Sequence, residues 1–338
     1  MRRGLLSAVM LAAMAGCQGS PAPAPAPSAS AVSSSVASAS AAPIASAAPS
    51  SSAGANGAKP LSARGQAELV KNMKSRASWA HVVLPEPVRM KTVEDTFLIV
   101  AGDAAAPLDA AVALVSKLLD VMWRNYFKHR PELTTVVWTF ATRAAYEPFR
   151  RLNAPRESRP SDLSMYIPDD SAIFFCPEGS SLGTLNHEAL HPLVDADFPH
   201  AGYWMLEGLP ALGEAVDVGT GSDGKDYFKP LAHFRLQTLR TALTKPEYAS
   251  QVKLDTLFTL TTRDAFIGGS EALHMALARE ALRWLDKKHA LWPFYSAWRE
   301  GILSDPTGEH AFASAMGGAT PASATDEWVS WIKSPEAE

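Results

Sequence analysis

The sequence predicts an α+β fold, a mixed sheet in the N-terminal part followed by a mostly helical C-terminal part, and three observations lead there. Thr96 to Ala101 (TFLIVA) and Thr134 to Ala141 (TTVVWTFA) have the β-branched and aromatic content of buried strands. Between them, Pro107 stands at a first-turn position. Leu108, Ala111, Val112, Val115, Leu119, Met122 and Tyr126 then follow at three- and four-residue steps, the apolar stripe of a helix lying on a core. From Leu182 onward the spacing is helical, including Glu271 to Lys288 and a tryptophan-rich segment ending near Ile332.

Ala172 to Cys176 (AIFFC) reads as one more short strand, closed by Pro177 and Gly179. These elements divide residues 61–338 into a mixed part, 61–180, and a helical part, 181–338, within the size range of one large domain or two closely packed subdomains.

What precedes that domain has a different character. Residues 1–17, MRRGLLSAVMLAAMAGC, combine an arginine pair, a short apolar run and small residues, the composition of a secretory signal and too short to span a bilayer. Met14-Ala15-Gly16-Cys17 resembles a bacterial lipobox, which implies that Cys17 becomes the lipidated first residue of an exported, membrane-anchored protein. Gln18 in place of an aspartate favours the outer membrane by the same resemblance. Residues 18–60 are nearly all Ala, Pro and Ser, a composition that cannot bury enough apolar surface to offset the entropy of ordering. They read as a disordered tether with a reach approaching ~100 Å when extended.

Charge and cysteine content exclude some functions. A formal net charge of −4 leaves no electrostatic footprint for nucleic acid. Beyond Cys17 the chain has only Cys176, so no internal disulfide can form and the fold must rest on its core; Cys176 reads as a small buried hydrophobe rather than a ligand.

The chemistry gathers at residues 187–191, His-Glu-Ala-Leu-His, the HExxH pattern of zinc metallopeptidases. On a helix, positions i and i+4 share a face, so His187 and His191 can converge on one ion while Glu188 points about a quarter turn away. Ser180 or Ser181 can cap this helix, and Leu182, Leu185, Ala189 and Leu193 form a stripe for burial on the other side. Pro192 is expected to end or kink it, because it removes a donor and clashes with the carbonyl four residues back.

A third ligand is needed, and downstream the chain reads Trp204-Met205-Leu206-Glu207-Gly208-Leu209. A WxxEGL run after HExxH is similar to the gluzincin branch of zinc peptidases, and the order of elements looks like the peptidase MA-like domain of bacterial gluzincins, a zincin-like fold spanning most of 61–338. The resemblance implies one Zn²⁺ per chain held by His187, His191 and Glu207, Glu188 as catalytic base, and a peptide or protein as substrate. It further implies that the strand before the zinc helix, Ala172 to Phe175, is the edge that pairs with substrate. Pro210 is expected near the start of the second helix, where it costs little.

Asp197 and His200 stand open as alternative third ligands, although Val194 occupies the place where the metzincin pattern needs a glycine. An oxyanion donor is expected from a downstream helix, with His274 as the candidate and Tyr203 and Tyr227 as weaker ones. The alternative to an enzyme is a degenerate zinc-binding lipoprotein that holds peptide or cell-envelope partners without cleaving them.

Overall fold

A computed structural model describes residue 71 and residues 88–94, 96–153, 164–179 and 181–338 of the chain. The signal segment, the tether, Cys17 and Ser180 lie outside the described residues. What is described belongs to one compact unit within Gly54–Glu338.

Five strands form the sheet: β1 (Met90–Val93), β2 (Phe97–Ala101), β3 (Thr135–Thr139), β4 (Ser164–Ile167) and β5 (Ala172–Phe175), in spatial order β1-β2-β3-β5-β4. The three central strands are parallel, and β1 and β4 run antiparallel at the edges. Every residue of β2, β3 and β5 is buried, which explains why their sequences are continuous apolar runs rather than alternations. Alternate residues feed two cores. Phe97, Ile99, Val137, Ile173 and Phe175 join the large core with helix α1 (Leu108–Asn125) and the helical half. Leu98, Val100, Val136, Trp138 and Phe174 face the smaller one, closed by Tyr146 and Phe149 of α2 (Arg143–Asn153) and by Cys176.

The edge-strand expectation is corrected here. β5 is internal, paired with β3 on one side and β4 on the other, so the edge next to the helical half is β4. The residues of β4, Ser-Met-Tyr-Ile, are partly polar, and Ser164 and Tyr166 are the two that turn toward the helix Leu182–Asp197.

The helical half begins with α3 (Leu182–Asp197) and α4 (Tyr203–Gly213). A hairpin, β6 (Val216–Thr220) and β7 (Asp226–Pro230), interrupts what the sequence reads as helix. Then come α5 (Phe234–Leu243), α6 (Pro246–Ala249), α7 (Leu254–Thr259), α8 (Arg263–Ile267), α9 (Glu271–Lys287), α10 (Leu291–Gly301), α11 (Glu309–Ala315) and α12 (Pro321–Lys333). Among the described residues no helix is long and apolar enough to cross a membrane.

The expected end of the helix at Pro192 and the expected place of Pro210 are also corrected. α3 continues through Pro192 to Asp197. A proline inside a helix costs roughly 3 kcal/mol. Beyond it, Leu193 and Val194 are fully buried, and burial of such side chains returns about 1.5–3 kcal/mol each. Pro210 falls well inside α4 rather than near its start, because that helix already begins at Tyr203. Its ring is buried in the same packing. Ser181 occupies the N-cap position of α3 but its side chain makes no capping hydrogen bond. Leu185, Ala189 and Leu193 are buried in the large core and Leu182 packs against it, as the stripe predicts.

Candidate metal centre

α3 carries His187 and His191 one turn apart, and their Nε2 atoms stand 3.1 Å from each other. Oε2 of Glu207, from α4, is 3.8 Å from His187 Nε2 and 3.9 Å from His191 Nε2. Two imidazole nitrogens and one carboxylate oxygen thus form a small triangle, and no other group of this kind occurs among the described residues. Tetrahedral donors bonded to zinc at ~2.0–2.1 Å lie about 3.4 Å apart, so the triangle fits such an ion with shifts of a few tenths of an ångström.

Close helix packing sets this geometry. At Gly208 a Cβ would lie 2.9 Å from Cβ of Ala278, so the glycine after Glu207 lets α4 rest directly on α9. At Gly183, in the first turn of α3, a Cβ would lie 2.0 Å from the carbonyl oxygen of Glu214. No side chain fits there, and the end of α4 is thereby brought against the zinc-helix candidate. Arg279 of α9, fully buried, donates to the carbonyls of Ala211 and Leu231 and so ties the end of α4 to the residue that follows β7.

Sequence reasoning missed Glu214. Its Oε1 lies 3.0 Å from Nδ1 of His187, at hydrogen-bond distance but off the N–H axis, and it is paired with Arg235 at 2.7 and 3.0 Å and with His233 at 3.4 Å. The signal was available, because Glu214 follows Glu207 by two helical turns and returns to the same face. Burial opposes charge on His187, yet the carboxylates of Glu207 and Glu214 lift its pKa to about 10. Burial pushes His191 down to about 4 against the pull of Glu207. Burial also works against the charge of Glu207 and Glu214, but His187 and its neighbours hold both carboxyls well below the usual range.

Glu188 is buried beside this cluster. Its Oε1 accepts a hydrogen bond from the Ser164 hydroxyl at 2.7 Å, and the carboxylate also meets the backbone N–H of Tyr166. Burial raises its pKa. The ring of Tyr166 stacks on His191, with centroids 5.9 Å apart and planes 13° from parallel. Strand β4 therefore lies against the site through both residues. No local pattern in the sequence marks Ser164, since it reaches Glu188 from another element.

The remaining candidates separate. Tyr203, at the start of α4, has its hydroxyl in polar contact with Glu207 and with Arg263. Its backbone N–H is bonded to the carbonyl of Thr261, two residues before that arginine. His274 is buried on α9 with Nδ1 2.6 Å from the carbonyl oxygen of Phe266. A carbonyl only accepts, so Nδ1 carries the proton and Nε2 of the neutral ring is left an acceptor. Tyr227 lies on the hairpin, where its hydroxyl donates to Asp217.

Asp197 is spent inside the fold. It accepts from the backbone N–H of Lys128 and His129 at 2.6 and 2.8 Å, from the Tyr295 hydroxyl at 3.0 Å and from Arg299. His200 is exposed in the turn after α3. Cys176 is buried in the smaller core. The fold and the site together define an α+β protein with a two-histidine, one-glutamate cluster and a buried carboxylate beside it. No protein-family model matches the chain, and no curated protein matches it.

Proposed function

We propose that the chain is a zinc-dependent hydrolase of peptide bonds, of gluzincin type, exported and held at the cell envelope by lipidated Cys17. The observation that carries this reading is the convergence of His187, His191 and Glu207, from two helices, into one triangle of donor atoms. These three residues would hold one Zn²⁺, which when bound polarises a carbonyl and acidifies water toward ~7.

The chain's own residues do the rest. Glu188 accepts the proton of the attacking water and hands it to the leaving amine. Glu214, 3.0 Å from Nδ1 of His187, places a negative charge behind the ring and raises its basicity, with Nε2 left to face the ion. Peptide substrate would pair with β4, the edge strand beside the site, which takes over the role expected of Ala172–Phe175. Of the oxyanion donors, Tyr203 has its hydroxyl next to Glu207, whereas His274 can donate through Nε2 only when protonated.

The test is Glu188→Gln, which keeps shape and helix propensity but cannot take a proton. Zinc content should stay at that of the unchanged protein while turnover of a peptide library or a denatured protein falls by ~10²–10⁴-fold. Equal turnover by the variant, or a zinc-loaded protein that cleaves none of these substrates, rejects the peptidase reading. The second outcome favours the alternative, a zinc-holding lipoprotein that binds envelope partners without cleaving them. One observation speaks for that alternative: Glu188 is buried, only 8% exposed.

A further inference from the structure

Ser164 is the first residue of β4 and is 9% exposed, with its hydroxyl given to Glu188. Strand register fixes where that hydroxyl stands. Ser164 pairs with Phe175 of β5, which is fully buried, and successive side chains alternate between faces. Met165 and Ile167 accordingly pack into the smaller core, while Ser164 and Tyr166 turn toward α3. One face of a short strand thus presents a hydroxyl to Glu188 and, two residues on, a ring to His191. A slip of one residue would put Met165 in the place of the hydroxyl.

We propose that Ser164 is a positioning residue: by fixing Oε1 of Glu188 to the edge strand it aims the second carboxylate oxygen at the water to be activated. The proposal rests on the metallopeptidase reading. A glutamate side chain has three rotatable torsions, and a base useful in both directions of proton transfer must be held in one of its rotamers. An ionised carboxylate has about four lone-pair sites on its two oxygens, so the Ser164 hydroxyl and the Tyr166 N–H can hold it while acceptor capacity remains for the water. Serine suits the task because its hydroxyl donates without adding charge beside Glu188 and Glu207.

The experiment uses the full-length protein, loaded with one zinc, as wild type, Ser164→Ala, Ser164→Thr and Ser164→Val. The last two have nearly the same volume and differ in the hydroxyl. Four quantities are read: zinc content, kcat and KM on a quenched-fluorescence peptide, and calorimetric affinity for a hydroxamate, whose acidic proton needs the same carboxylate. Ser164→Ala and Ser164→Val should keep zinc and KM while kcat falls on the order of 10–100-fold and hydroxamate binding weakens; Ser164→Thr should stay near wild type. Thr and Val variants that behave alike, or an Ala variant with unchanged kcat and hydroxamate affinity, overturn the proposal. If wild type holds no zinc, or Glu188→Gln cleaves as well as wild type, the metallopeptidase reading falls and the positioning role falls with it. A zinc-bound, Glu188-dependent enzyme indifferent to Ser164→Val removes the positioning role alone.

Discussion

Glu214 stands 3.0 Å from Nδ1 of His187, while the other nitrogen of the same ring faces Glu207. A carboxylate behind a ligating histidine fixes the ring and raises its basicity, and losing it costs ~10–100-fold in metal affinity. Glu214→Gln should therefore weaken zinc binding by that factor although all three proposed ligands remain. Competition with a chromogenic chelator reads the affinity directly, and an unchanged value would show that the contact gives the ligand no support.

Glu207 and Asp197 are predicted to fail in opposite ways. Glu207→Gln removes the anionic donor and should lower zinc content, with the fold retained. Asp197→Asn should leave the zinc donors intact but destabilise the protein by ~3–5 kcal/mol, because Arg299 then stays buried without its counter-charge. Urea unfolding and metal analysis of both variants decide the matter. Metal loss in Asp197→Asn at full stability, with none in Glu207→Gln, would exchange the two roles.

Asp286 on α9 gives a pH signature remote from the metal centre. Burial pushes its carboxyl from 3.8 up to about 6, against the pull of His289. A carboxyl with a raised folded pKa binds its proton better in the folded state. Its favourable contribution is complete below the unfolded pKa and is lost as pH rises through about 6. Asp286→Asn should thus be more stable than wild type at neutral pH by about 1–2 kcal/mol, a figure reduced for the solvent that still reaches the group. The difference should vanish below pH ~4. Denaturation midpoints across this range measure it, and curves parallel at every pH would contradict the shift.

The anchor is tested apart from the fold. Cys17→Ser removes the only group that the lipobox-like segment offers for acylation, so the protein should leave the membrane fraction while its domain still unfolds cooperatively. Continued fractionation with membranes would overturn the lipoprotein reading.

Short-range pattern in the sequence was enough to place the three central strands, the helices α1 and α9, and the two histidines proposed as ligands. The strands at Phe97–Ala101, Thr135–Thr139 and Ala172–Phe175 declare themselves because both of their faces are buried, leaving uninterrupted apolar runs. His187 and His191 share a face because a helical turn is a local fact. The residues of α1 and α9 follow the same rule of periodic burial.

What only the tertiary structure decided depends on contacts between elements far apart in the chain. Helix α3 survives Pro192 because the residues beyond it are buried by other parts of the fold, an energy that no local propensity contains. The edge of the sheet is β4 and not β5 because strand order is a property of pairing, which sequence order does not fix. Ser164 reaches Glu188, Tyr203 rather than His274 reaches Glu207, and Asp197 is consumed by Arg299 and Tyr295, each through packing of separate elements. The sequence determined which residues could hold a metal; the burial of distant apolar surface determined which of them meet.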